Sequence, residues 1–218
     1  NPGSNDQALV KVTETILQTY TASIDPCLLS GKFLVLHRIL SSIRKHTQDR
    51  VIIVSNFTST LNLLQRYCVR QKFPFLRLDG RTKADVRSKM VNEFNSDSGS
   101  DHLGKQPFVF LLRSNSGGGG LNLIGANRLI LFDSDWNPAT DRQAMARIHR
   151  DGQLKPCFIY RLLLVGSMDE KIYQRQITKI GLSDSLMSNE AAKDHDVASS
   201  SDTFSQEELR DVFGYHPN

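Results

Sequence analysis

Cysteine, tryptophan and long apolar runs are what this sequence has least of. Its three cysteines, Cys27, Cys68 and Cys157, are odd in number and far apart. They supply neither a disulfide framework nor a paired zinc ligand set, and they fit a reducing, intracellular compartment. No apolar run reaches membrane-spanning length, and the first thirty residues hold no signal-peptide core. Charge of one sign is in small excess: 27 Lys and Arg against 23 Asp and Glu leave +4 and a pI near 9.0. That permits a polyanionic partner but falls short of a histone-like charge. Phosphate cradles of the familiar kinds are missing as well. The run Gly117 to Gly120 is followed by Leu121-Asn122-Leu123, without the Lys-Ser/Thr that completes a Walker A loop, and the third glycine of a dinucleotide fingerprint is absent. His149-Arg-Asp151 imitates a kinase catalytic loop, yet Pro156 stands where that loop needs Asn.

What is present is ordinary in amount and regular in order. The 218 residues, 39% hydrophobic and 23% charged, suit a soluble globular chain with one sizeable core and an appendage. From Lys32, Leu36, Ile39, Leu40 and Ile43 predict an amphipathic helix to about His46. Val51 to Val54 reads as a buried parallel strand emptying into Ser55-Asn56-Phe57-Thr58, before a helix with Leu61, Leu64 and Cys68 inward. A strand from Phe75 to Leu78 leads through Asp79-Gly80-Arg81-Thr82 to a helix with Val86, Met90 and Phe94 inward. After a polar surface insertion, residues 96–106, come a strand Phe108 to Leu112, the glycine run, a strand Arg128 to Phe132, a helix from about Ala139 and a strand Phe158 to Leu164. This alternation predicts an α/β fold, a doubly wound and mostly parallel sheet over residues 31–165. Residues 1–30 read as a lead-in from something larger. Residues 166–218 read as a small C-terminal helical appendage: a helix from Met168 to Ile180, a poorly ordered connection over 182–203, and a capping box Ser205-Gln-Glu-Glu208 opening a short helix that docks back through Leu209, Val212 and Phe213.

The chemistry concentrates in Asp141 to Gln153, where Gln143, Arg147 and Arg150 are spaced by four and then three residues. That spacing predicts one face of one helix, at the carboxyl end of a strand, where open α/β sheets place ligands. Two guanidiniums there suit a phosphoryl group or a nucleic-acid backbone, while a solvated Arg/Gln face remains the plain alternative. The glycine run either lets backbone N–H groups approach a phosphate or is simply a flexible loop. Asp133 and Asp135 resemble a metal-binding Asp-x-Asp of sugar-nucleotide transferases, but a turn with Asp capping the helix before Pro138 is preferred. Trp136 is either a packing anchor or a base-stacking group. The histidines show no ligand spacing, so no metal site is predicted.

Five blocks in order carry a resemblance: Val51 to Phe57, Arg77 to Thr82, Gly117 to Leu123, Asp133 to Pro138 and Gln143 to Gln153. Together they resemble the second RecA-like lobe, the helicase C-terminal domain, of Swi/Snf-type superfamily-two DNA-translocating ATPases. Ser30-Gly31-Lys32, Pro156 to Leu162, Asp169 to Gln176 and Phe204 to Leu209 look most like the Rad-fifty-four-type recombination branch, and His149 is closer to its fungal meiotic relative. The resemblance implies that Gln143, Arg147 and Arg150 form the last helicase motif, reaching ATP bound with Mg on an N-terminal RecA-like lobe, with Arg150 as the finger and Arg147 as its partner. It places Gly118 and Gly120 near the nucleotide, and Ser55, Asn56, Thr58, Gly80, Thr82 and Asn122 along double-stranded DNA, with Arg113 and Trp136 as further DNA candidates. It also implies a strand-exchange recombinase filament as partner, no membrane, and a nuclear location. Arg113, Asn115 and Gly119 depart from the usual glycine motif: Asn115 removes a cation near the cleft, Gly119 adds backbone freedom, and Arg113 supplies a charge. No Walker A loop and no Asp-Glu-x-His box occurs in the chain, which is therefore expected to be inactive alone. The alternatives are a chromatin-remodelling ATPase lobe and a nucleic-acid-binding module without ATPase chemistry.

Overall fold

The computed structural model describes residues 30–96, 106–116 and 120–189. Its elements are α1 (Gly31–His46), β1 (Val51–Ser55), α2 (Thr58–Arg70), β2 (Phe75–Leu78), α3 (Ala84–Asn95), β3 (Val109–Arg113), β4 (Arg128–Leu131), α4 (Pro138–Met145), β5 (Phe158–Arg161) and α5 (Met168–Asn189). The five strands form one parallel sheet in the order β2-β3-β1-β4-β5. It is an α/β fold, as the alternation predicts, and a RecA-like one, as the resemblance implies. β1 is central and buried at all five positions, which is why its sequence is a continuous apolar run rather than an alternating one.

The period of two along the strands divides the core. Val51 and Ile53 of β1 share one face with Val109, Leu111 and Ile130, and α1 and α2 cover that face with Leu36, Leu40, Leu61 and Leu64. Ile52 and Val54 point the other way with Phe110, Leu112 and Leu129, against Phe94 of α3 and Ala144 of α4. Each fully buried leucine stabilises the fold by about 1.5–3 kcal/mol. From β3 the chain passes over β1 to reach β4 on its far side, so the carboxyl ends of β3, β1 and β4 meet at a topological switch point.

Several elements differ from their sequence pattern. In α3, Val86 is 47% exposed, and Phe94 with Val91 makes the inward contact. β5 stops at Arg161 rather than Leu164. α5 continues through Asn189, so the start of the expected 182–203 connection is helical. Its remainder, the short helix with Leu209, Val212 and Phe213, the lead-in 1–29 and most of the 96–106 insertion lie outside the described residues.

Candidate functional site

Every strand delivers its loop to the same edge. β1 ends at Ser55, which is fully buried, and its hydroxyl donates to Asp133 Oδ2 beyond β4. The Ser55 hydroxyl oxygen in turn accepts Phe57 N–H at 3.2 Å. Ser55 therefore shapes the turn that carries the half-buried Asn56 and the exposed Thr58. After β2, Asp79 closes its turn through Arg81 N–H to Oδ1 at 3.1 Å and through its own N–H to Thr82 Oγ1 at 3.3 Å. Gly80 is exposed at the tip, and a Cβ there would lie 3.9 Å from Arg113 Nη1 at the end of β3. Trp136 is 41% exposed after β4. The helix cap is Asn137, whose Oδ1 accepts Ala139 N–H at 2.9 Å, while Asp135 accepts Asn137 N–H at 2.8 Å. This corrects the expectation that an aspartate caps α4: Asp135 sets the turn one step earlier. Asp133 and Asp135 thus serve different local partners.

The last block departs most from its expected geometry. α4 ends at Met145, and residues 146–150 turn away from the helix. Gln143, Arg147 and Arg150 consequently do not share one helical face: Gln143 and Arg150 are exposed, whereas Arg147 is 6% exposed. Arg147 donates Nη1 to the Ser116 carbonyl and Nη2 to the Ser114 carbonyl, both at 3.1 Å, gripping the start of the glycine loop. Its own carbonyl accepts Leu123 N–H at 3.1 Å at the loop's far end. Arg150 donates Nε to the Ala146 carbonyl at 3.2 Å and Nη1 to the Gly120 carbonyl at 3.0 Å, leaving its outer face open. Gly120 has φ +109°, and an added Cβ would meet Arg150 Nη1 at 3.4 Å, so glycine here serves both backbone and guanidinium. Gly118 and Gly119 lie outside the described residues. Gln153 secures the turn, its Nε2 reaching the carbonyls of Ile124, Ala126 and Ile148 at 2.8–3.2 Å.

Electrostatically the edge is a cation cluster. Burial, then the charges of Arg150 and Arg87, push the Arg147 guanidinium below its ordinary value. Ser114 Oγ, Ser116 Oγ, Ser134 Oγ, Asn122 Oδ1 and Arg113 Nε are buried without a hydrogen-bond partner among the described residues. The three serine hydroxyls and Arg113 Nε are donors held beside arginines and suit an anion with several oxygens, whereas Asn122 Oδ1 is an acceptor. Burial raises the Asp133 carboxyl above the usual range, opposed by the Ser55 hydroxyl and the Lys32 charge. It raises Asp141 likewise, against Gln176 and Arg161. Periodicity missed the supporting residues Asp141, Arg161, Gln176, Asn95 and Arg87. Asn95 ties α3 to the glycine loop, donating to the Asn122 carbonyl at 2.8 Å and accepting Gly125 N–H at 2.9 Å. Asp141, Arg161 and Gln176 fall within stretches that stand out in the sequence, but nothing there points to their ties to one another; Asn95 and Arg87 are marked only by polarity beside apolar positions.

The site is thus a parallel α/β sheet whose carboxyl edge gathers Arg113, Arg147 and Arg150 beside buried hydroxyls without partners among the described residues. Residues 31–152 match the family described as the helicase conserved C-terminal domain, and the chain belongs to that family. It is 48% identical over 188 residues to the "DNA repair and recombination protein RAD54" of Oryza sativa subsp. japonica, covering 86% of this chain and 18% of that protein. Against the "DNA repair and recombination protein RAD54-like" of Drosophila pseudoobscura pseudoobscura it is 49% identical over 191 residues, with 87% and 23% covered. Against the "Protein CHROMATIN REMODELING 25" of Arabidopsis thaliana it is 47% identical over 188 residues, with 86% and 20% covered. The crystal structure of the C-terminal part of the Fun30 ATPase domain superposes with TM-score 0.64 at 36% identity, covering 78% of this chain and 52% of that one. The chain is thus a helicase C-terminal lobe similar to Rad54-type Swi/Snf proteins, and it spans about a fifth of the length of these curated relatives.

Proposed function

We propose that this is the C-terminal motor lobe of an ATP-dependent translocase on double-stranded DNA that acts in homologous recombination and DNA repair in the nucleus. The observation that carries it is the Arg150 guanidinium at the sheet's carboxyl edge, tethered by two carbonyls and open on its outer face. The names of the Rad54 relatives at 48–49% identity supply the context. In this reading ATP with Mg is held by an N-terminal RecA-like lobe of the same protein, and closure of the two lobes brings Arg150 to the transferring phosphoryl group. Arg147 acts as its partner by clamping the glycine loop that supports Arg150, and Gln143 faces the cleft from α4. Asn56, Thr58, Gly80, Thr82, Arg113, Asn122 and Trp136 track the DNA backbone, with Ser55 setting the first turn. Such contacts give binding that is salt-sensitive and weakly sequence-specific. A strand-exchange recombinase filament is the further partner, and the isolated lobe, without a phosphate cradle, turns over no ATP.

In the full-length protein, Arg150→Ala should cut DNA-stimulated ATP hydrolysis by about a thousandfold or more while duplex affinity stays within about threefold. Turnover near the wild-type rate would remove Arg150 from the role. The Arabidopsis relative's name favours one other reading, a chromatin-remodelling ATPase lobe. The same ATPase would then reposition nucleosomes and leave recombinase strand exchange unaccelerated.

A further inference from the structure

We propose that Gln176 on α5 is a positioning residue for the segment that carries Arg150, its amide locking the first turn of α4 to β5 and to the loop after β4. This rests on the reading of Arg150 as the finger. Gln176 is 2% exposed. Its Nε2 donates to Asp141 Oδ2 at 2.9 Å and to the Asp135 carbonyl, and its Oε1 accepts from Arg161 Nη1 at 2.6 Å. Arg161 Nη1 also reaches Asp141 Oδ2 at 2.9 Å, and its guanidinium lies 4.8 Å from the Tyr173 ring centroid. Asp141 Oδ1 takes Asp135 N–H at 3.2 Å. The groups facing the amide are therefore Asp141 from α4, the Asp135 backbone after β4 and Arg161 from β5, with the Asp135 charge acting on Asp141 and Tyr173 of α5 stacked on Arg161, and both amide hydrogens and the oxygen are engaged.

α4 has eight residues, too few to hold its axis without tertiary ties. Asp141 lies in its first turn, and the same short helix launches Arg147 and Arg150 from its far end. A tilt at one end displaces the guanidinium at the other, and a misplacement of about 1 Å can cost roughly a hundredfold in rate. α5 has a second, independent anchor: Lys32 pairs with Asp169 and donates to the Phe132 carbonyl at 2.9 Å. Changing Gln176 thus removes the tie to α4 without releasing the helix.

The test uses the full-length ATPase. Gln176→Ala should lower kcat about ten- to a hundredfold, with KM for ATP and duplex Kd within about threefold. Gln176→Glu sets a second carboxylate against Asp141. Near pH 8 it should show a deficit like that of the alanine variant. Toward about pH 6 a proton shared between the two carboxyls restores a donor, so the variant-to-wild-type rate ratio should recover. A Gln176→Ala kcat within about threefold of wild type, or a Gln176→Glu ratio flat across that range, overturns the proposal. Arg150→Ala measured alongside separates the two failures. If it leaves turnover intact, the finger reading falls; if it abolishes turnover while the Gln176 variants are unaffected, only the positioning role falls.

Discussion

At the scale of single residues, a glycine and an aspartate show opposite constraints. A Cβ on Gly125 would stand 2.3 Å from the Phe94 carbonyl oxygen and 2.8 Å from Asn95 Cα, both backbone atoms that cannot swing aside. Gly125→Ala should therefore destabilise the fold by about 2 kcal/mol, a fall of roughly 4–8 °C in Tm. At Gly31 nothing lies within 4 Å, so Gly31→Ala should match or slightly exceed wild type by the helix propensity it gains. Thermal melts of both decide, and an unchanged Gly125→Ala melt would refute the clash. Asp133 is constrained by charge. Burial raises its carboxyl in the folded chain, so the folded state holds that proton more tightly than the unfolded one. Its contribution to stability accordingly falls as pH climbs from the unfolded value of about 3.9 through the folded one. Asp133→Asn keeps an oxygen for the Ser55 hydroxyl and has no proton to lose, so its stability relative to wild type should rise from about pH 4 toward neutrality. Urea unfolding at several pH values would test this, and a constant difference would contradict it.

At the scale of elements, the sequence was readable wherever burial alone sets the pattern. The apolar runs of β1 and β3 and the inward leucines of α1 and α2 emerge within a residue or so of their predicted places, because a strand covered on both faces and a helix covered on one leave a simple periodic record. α4 was not readable in the same way. Arg147 and Ile148 sit at helical spacing from Asp141 and Ala144, yet the helix stops at Met145 and Arg147 turns inward to the carbonyls of Ser114 and Ser116. A guanidinium supplying two donors to a loop competes with continued helix, and propensity carries no term for a partner some thirty residues away. The same holds for α3, where Val86 has an apolar identity yet is 47% exposed. The site's position at the strand ends was legible from strand-loop-helix order; the buried ties of Asn95, Gln153, Asp141, Arg161 and Gln176 were not, since hydrogen-bond partners distant in sequence leave no period.

At the scale of the whole molecule, the small net charge conceals two separate basic surfaces. α1 and α2 contain no carboxylate, and their outward sides carry Arg38, Lys45, Arg66 and Arg70 among exposed Leu34, Val35, Leu63 and Val69. The carboxyl edge of the sheet carries Arg81, Arg113 and Arg150 among serines and a glycine loop. A phosphate backbone rewards the second arrangement more, because buried donors without partners among the described residues there, such as Arg113 Nε, gain hydrogen bonds, whereas exposed aliphatic side chains on the helical face gain nothing from phosphate. Duplex DNA along the edge makes a measurable distinction between these surfaces. In the full-length protein, Arg113→Ala should weaken duplex binding and reduce the slope of log Kd against log salt by about one unit for each phosphate no longer neutralised. Arg38→Ala with Arg66→Ala, an equal or greater loss of charge on the helical face, should leave that slope within error. If the helical-face pair lowers the slope and Arg113→Ala does not, the duplex lies across α1 and α2 instead, and the edge is reserved for the nucleotide.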